Sequence, residues 1–248
     1  MLIHDSHICN YKFGGIDGCK KGWLMVLINN DSHHYTLVHP ITELTNILSG
    51  HIRVLVDMPV GLLSSGLTFT GNRPCDVAAR KLLGVKHTSI FNPPCIEALH
   101  EKSYQQASET NYRILGKKLS KQSWNIAPKI REINAFLHLN PHWRGKILEA
   151  HPELSFQQLN GSIPLQFSKK TSEGIEERLS ILQIYYPASE ILFSNMLSDP
   201  ALKGHAAADD MVDAICLAVL NRHRSANLEN ISDIYPEDSL GNRMGIWV

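Results

Sequence analysis

Apolar residues come first in short runs and later at helical spacing, and that change of period organises the chain. Three β-like runs open it: FGGID (13–17), GWLMVLI (22–28) and YTLVH (35–39). A glycine-bearing turn, GCKKG, and a polar turn, NNDSHH, join them. ITELTNIL predicts a helix that starts near Pro40 or Thr42. RVLVDM (53–58) is a nearly unbroken apolar run that ends in an acid before Pro59, the pattern of a strand covered on both faces. From Arg73 to about Leu137 the spacing turns helical, in RPCDVAARKLLG, IEALHEKSYQQASETNYRILG and IAPKIREINAFL. KILEAHP (146–152) predicts one more strand, and helices follow over 155–159, 175–186, 189–197 and 207–223. This order predicts an α/β layer fold on a mixed sheet. The stretch 73–140 reads as a helical insertion between two strands of a single domain, residues 1–248.

With 248 residues, the chain is long enough to bury a full core without staples. A hydrophobic share of 43% and a charged share of 19% exclude disorder, coiled coil and collagen. No apolar run approaches the roughly 20 residues of a membrane span. The N-terminus, MLIHDSHICNYKF, lacks a basic-then-apolar leader layout. Five cysteines without a CxxC pair do not make a disulfide framework, which points to a reducing cytoplasm. Lys+Arg and Asp+Glu balance at 24 each, which argues against a protein that coats nucleic acid non-specifically. The charges are segregated, however. Arg113, Lys117, Lys118, Lys121, Lys129, Arg131, Arg144 and Lys146 face Glu132 alone, a net +7 over 113–146, whereas 189–248 carries −5. Such a stretch is a solvated helical face or a surface for an anionic ligand, and Trp124, Phe136 and Trp143 among its cations favour a stackable one.

The chemistry lies in the acids. Asp17 ends the first run and Asp57 ends the buried one. Asp209, Asp210 and Asp213 open an otherwise apolar helix, DDMVDAICLAVL, in which acids three and four apart share a face. Each also has a plain structural role open to it: a turn at Asp17, a strand-end cap at Asp57, a helix N-cap at Asp209 or Asp210. A cap does not explain Asp213, which lies inside the helix. Like charges so placed repel unless a cation sits between them, and hard oxygen ligands suit Mg²⁺ or Mn²⁺.

In order and in motif the chain resembles the ribonuclease H-like superfamily, and RuvC-type resolvases in ending on Asp210-Met-Val-Asp213-Ala. More narrowly it is similar to the uncharacterised family of predicted RNase H-like nucleases. The resemblance rests on GIDGCKKGW (15–23), VDMPVGL (56–62), RPCDVAARKLLG (73–84), PKIREIN (128–134), EAHPELSF (149–156) and DDMVDAICLA (209–218). It implies a five-stranded mixed sheet flanked by helices, with the insertion between the fourth and fifth strands. It places Asp17 on the first strand, Asp57 on the fourth, and Asp210 and Asp213 on the last helix, as catalytic acids holding two Mg²⁺ or Mn²⁺ ions. Nucleic acid or a smaller phosphoester would be the substrate, cut by in-line hydrolysis. The superfamily's second acid is often Glu, and Asp57 has the shorter arm. Asp209 and Glu153 are possible further ligands, with core or capping roles equally open to Glu149 and Glu153.

Arg73, Arg80, Lys129 and Arg131 fall in the matching motifs as candidate phosphate holders or helix-surface ion pairs, and Lys117, Lys118 and Lys121 of the basic stretch are candidate substrate contacts. His151 and His205 are candidate proton shuttles, although a lone histidine is more often a surface or capping residue. No spacing suits zinc, and neither GxxxxGK[ST] nor GxGxxG occurs. Two rival classes stand beside the nuclease. IDGCKKG resembles the phosphate-gripping hairpin of actin-like sugar kinases, whose ATPase activity needs a second copy of the fold. A non-catalytic module that keeps the fold is the other.

Overall fold

The computed structural model describes residues 11–48, 51–67 and 71–248, so most of the segment searched for a leader lies outside the described residues. Among the described residues, five strands form one mixed open sheet flanked by helices, in the order β3-β2-β1-β4-β5. They are β1 (Phe13–Cys19), β2 (Gly22–Ile28), β3 (His33–Val38), β4 (Arg53–Val56) and β5 (Ile147–Glu149). β1, β2 and β3 pair antiparallel as consecutive hairpins. β4 runs parallel to β1, with Ile16 beside Val56. Every residue of β2 is buried, as its unbroken apolar run requires, whereas the polar β3 at the edge is half-exposed.

The helices are α1 (Leu44–Ile47), α2 (Pro74–Leu83), α3 (Ile96–Leu99), α4 (Tyr104–Leu115), α5 (Lys121–Leu139), α6 (Pro152–Leu159), α7 (Ser172–Tyr185), α8 (Ser189–Ser198) and α9 (Ala208–His223). ITELTNIL shrinks to a 3-10 turn and the short α1. The expected helical run after Ile96 breaks in two, because the Ser103 hydroxyl accepts the Gln106 N–H (3.3 Å) and starts α4 afresh.

The chain divides into two compact units. Unit 1 holds the described part of Met1–Asp57 together with Ala150–Leu228 and Val248, and so contains β1 to β4, α1 and α6 to α9. Unit 2 holds Met58–Glu149 and Glu229–Trp247, with α2 to α5 and β5.

In unit 1, α9 lies directly against β1. A Cβ at Gly15 would stand 2.3 Å from the Ala214 carbonyl oxygen and 2.4 Å from the Ala218 nitrogen, so only glycine permits this approach. Toward the far end of α9, buried Asn221 ties the helix to the sheet. Its Nδ2 donates to the carbonyls of Gly14 (2.9 Å) and Arg53 (2.8 Å), and its Oδ1 accepts from Arg53 Nε (2.6 Å).

In unit 2, Leu63, Cys95, Ala98, Leu115 and Met244 form a core on which Trp124 packs. Arg73 is buried and fully engaged. It meets Asp76 through Nε (3.0 Å) and Nη2 (2.6 Å), Glu149 through Nη1 (2.8 Å) and Nη2 (2.7 Å), and the Gly61 carbonyl through Nη1 (3.0 Å). Phe136 and Trp143 are also buried, which corrects the expectation that they face a ligand: their rings fill the core. The four described cysteines are buried free thiols. Among the described residues no helix is long and apolar enough to cross a membrane.

Gly15→Ala drives a methyl into the backbone of α9, and overpacking of this kind costs about 1–3 kcal/mol. We expect the melting temperature to fall by about 2–4 °C for each kcal/mol lost. A variant that melts with the wild type would show that α9 can retreat from β1 freely.

Candidate metal centre

The parallel pairing of β1 and β4 brings two acids together at one end of the sheet. The Asp57 N–H donates to the Ile16 carbonyl (2.9 Å), which sets Asp57 beside Asp17 at the ends of their strands. The Asp17 Oδ1 accepts the Gly18 N–H (2.7 Å). The third acid comes from α9. Ala214 packs over the bare Gly15, and Asp213, one residue before it, reaches the acid two residues beyond Gly15 on the same face of β1. One carboxylate oxygen from each of Asp17, Asp57 and Asp213 lies within 4.8 Å of the others. Asp17 and Asp213 are buried, and Asp57 is half-buried.

Burial and mutual repulsion raise all three acids. Asp17 is held well above the ordinary carboxylate range, first by burial and then by Asp57, Asp213 and Asp210. Burial pushes Asp57 up to about 6 against the lowering pull of Lys169. Asp213 also rises to about 6 through burial, again opposed by Lys169. Lys169 donates to Asp213 Oδ2 at 2.6 Å and lies 3.9 Å from Asp209 Oδ2. Burial works against its charge, but Asp213, Asp57 and Asp17 outweigh it and hold the ammonium firmly protonated. Lys170 pairs with Asp209.

Three hard oxygen donors thus converge where one ammonium contacts one of them. That donor set fits Mg²⁺ or Mn²⁺.

The remaining candidates fall elsewhere. Asp210 accepts the Ala207 N–H (2.8 Å) and so secures the start of α9. Glu153 pairs with buried Arg178 (2.8 Å). His151 precedes α6 as its N-cap residue. The His205 carbonyl accepts the Lys20 N–H (3.1 Å), beside the turn after β1. In unit 2, Glu149 is a partner of Arg73. Arg80 is engaged by the Ile90 carbonyl (3.1 Å) and Asn92 (2.6 Å), and Arg131 by the Leu99 carbonyl (2.8 Å). Lys129 is half-buried on α5. Lys117, Lys118 and Lys121 are exposed, the first donating to Asn72 (3.1 Å) and the second paired with Glu109. Sequence reasoning missed Lys169 and Lys170. Two adjacent lysines before a helix look like any solvated pair, and their partners lie about forty residues further on.

The raised acids set a pH dependence. Asp57 titrates at about 6 in the native state instead of its usual 3.8, so between those values the folded protein holds a proton that the unfolded chain has released. The stability linked to that proton is complete below about pH 4 and is lost as the pH rises through about 6. Without metal, we expect the melting temperature of Asp57→Asn to exceed that of the wild type at about pH 8 and the gap to close toward about pH 4. Parallel melting curves across that range would show that burial does not raise Asp57 in the folded protein.

No curated protein and no solved structure matches the chain. Residues 15–238 match the model of the family described as protein of unknown function (DUF429), a span that includes Asp17, Asp57 and Asp213. The match covers most of the chain, which therefore belongs to the DUF429 family.

Proposed function

We propose that this chain is a metal-dependent phosphodiester hydrolase, a nuclease of the ribonuclease H-like type that the motifs resemble. One observation carries the reading: Asp17, Asp57 and Asp213 come from the first strand, the fourth strand and the last helix and converge within 4.8 Å. The resemblance implied acids on those same three elements. Simple caps or turn residues have no reason to meet there at the cost of raised carboxylates.

When bound, Mg²⁺ or Mn²⁺ supplies Lewis-acid polarisation of a phosphoryl oxygen and a water acidic enough to attack at neutral pH. The chain's own part is placement. Asp17 and Asp57 offer oxygens from rigid strand ends, and Asp213 offers one from a helix that Gly15 allows to lie close. Asp17 is further oriented by the Gly18 N–H. Asp210 and Asp209 act one step back, Asp210 by fixing the start of α9 and Asp209 by holding Lys170. On unit 2, exposed Lys117, Lys118 and Lys121 offer positive charge to an anionic polymer without making the whole chain basic.

Divalent metal should stabilise the folded protein by about 2.7 kcal/mol at a hundredfold excess over Kd. Asp17→Asn should abolish that gain and lower Mn²⁺-supported cleavage of a nucleic-acid panel. The loss should be at least the roughly 10–100-fold that removing even an outer partner of a metal ligand costs. Thermal melts and a cleavage screen with Mg²⁺ and Mn²⁺ check both. Absence of any metal-induced shift in the wild type would remove the metal from the proposal, and an ATP-induced shift in its place would favour the phosphotransferase reading.

Each phosphate contact contributes about −0.9 for duplex, or −0.7 for single strands, to the slope of log K against log salt. Replacing Lys117, Lys118 and Lys121 together with Gln should flatten that slope and weaken nucleic-acid binding, with Mn²⁺ affinity unchanged. Binding isotherms at several salt concentrations measure it. An unaltered slope would make the three lysines ordinary solvated surface.

A further inference from the structure

Beside the three acids stands a cation that the sequence did not announce, and the turn that carries it is firmly built. The Glu177 carboxylate accepts the N–H groups of Gln166 (2.8 Å) and Phe167 (3.0 Å). The Thr171 hydroxyl donates to the Ser168 carbonyl (3.1 Å), which also accepts the Thr171 N–H (3.1 Å). A Cβ at Gly174 would fall 1.8 Å from the Ser168 carbonyl oxygen, so the turn closes only against glycine. Buried Arg178 donates to the Phe167 carbonyl (3.3 Å) from beneath. The backbone on either side of Lys169 is therefore fixed, and its ammonium is delivered to Asp213 rather than left to wander in solvent.

We propose that Lys169 is the resident second cation of the acidic centre, holding the Asp213 side so that the centre takes up one divalent ion, on the side of Asp17 and Asp57. The proposal rests on the metal-dependent reading above and sharpens it, because the resemblance implied two ions. Charge balance gives the reason. Asp17, Asp57 and Asp213 bring three negative charges and Lys169 one positive, which leaves two to be balanced. A single divalent ion closes that difference, whereas two would leave a buried excess of positive charge, and uncompensated buried charge is costly. Asp209 is paired with Lys170, and Asp210, whose charge also reaches Asp17, is held by the Ala207 N–H at the positive end of α9, so the count is of the converging groups alone. Lys169 acts on the metal through the acids it holds and is a positioning residue. It also presents a fixed positive charge to an incoming phosphate.

The test is a calorimetric Mn²⁺ titration of the full chain, as wild type, Lys169→Gln and Lys169→Arg. The wild type should bind one Mn²⁺ per chain. Lys169→Gln should bind two, because the Asp213 side is then open, while Lys169→Arg keeps the charge and should return to one. Two ions on the wild type, or one ion of unchanged affinity on Lys169→Gln, would overturn the assignment of Lys169 and leave the metal reading standing. No Mn²⁺ bound by any of the three would overturn both. Should Lys169→Gln fail to fold, the wild-type stoichiometry decides: two ions overturn the proposal, and one ion retained by Lys169→Arg upholds it.

Discussion

The contact between α9 and the bare face of Gly15 governs unit 1. Helix and strand backbones meet there at a distance no side chain would allow. Ala214 and Ala218 on the helix side are small for the same reason, and Asn221 locks the far end by bonding to carbonyls of both β1 and β4. The contact does two jobs. It closes the core over strands that are apolar on both faces, and it fixes the depth of the helix so that Asp213 comes level with the strand-end acids. Stability and the geometry of the acidic centre therefore hang on one missing methyl group. A larger residue at this point would disturb both at once, so they are one property of the sequence.

The two units treat buried charge in opposite ways. In unit 2 all five N–H groups of Arg73 find acceptors on Asp76, Glu149 and the Gly61 carbonyl. Glu149 also accepts the Val60 N–H (2.7 Å), yet burial still raises it to about 7. Such a network is a joint between segments distant in sequence, and removing one member would strand the others. In unit 1 three acids converge, and the Lys169 ammonium donates to Asp213 alone among them. A satisfied network has nothing left to offer a ligand, and a deficient one does. That contrast separates two clusters that look alike in composition.

Much of this architecture could be read from the residues. The run GWLMVLI is found as β2 with the expected bounds, and the helix expected over 207–223 is α9 to within a residue. Both signals are local: an unbroken apolar stretch and a helical period behind a pair of acids. Asp17 and Asp57 were legible as strand-end acids because an acid closing an apolar run is rare without a reason. What could not be read depends on distant partners. Arg73 sits in a motif that looked fit to hold phosphate, and only its encounter with Glu149 shows that its donors are engaged. The resemblance gives Asp210 and Asp213 one role, whereas the helix holds Asp210 at its start and brings Asp213 to the acid cluster. Trp143 and Phe136 have cationic neighbours in sequence, but Phe136 on α5 and Trp143 in the turn after it are both buried.

The interleaving of the two units bears on how the molecule is made. Unit 1 breaks off at Asp57 and resumes at Ala150, and unit 2 breaks off at Glu149 and resumes at Glu229. Neither can be completed from a contiguous stretch of newly synthesised chain. The Leu62 N–H finds its acceptor in Asp238 (3.2 Å), and the Glu149 carbonyl finds its donor in Trp247 (2.9 Å). Asp17 and Asp57 leave the ribosome early, but the helix that brings Asp213 and covers Gly15 follows more than 150 residues after Asp57. Until then the β1 face lies open and the two acids lack their third partner. The acidic centre thus forms only once α9 has been made, and a nascent or prematurely ended chain carries its parts without its assembled form.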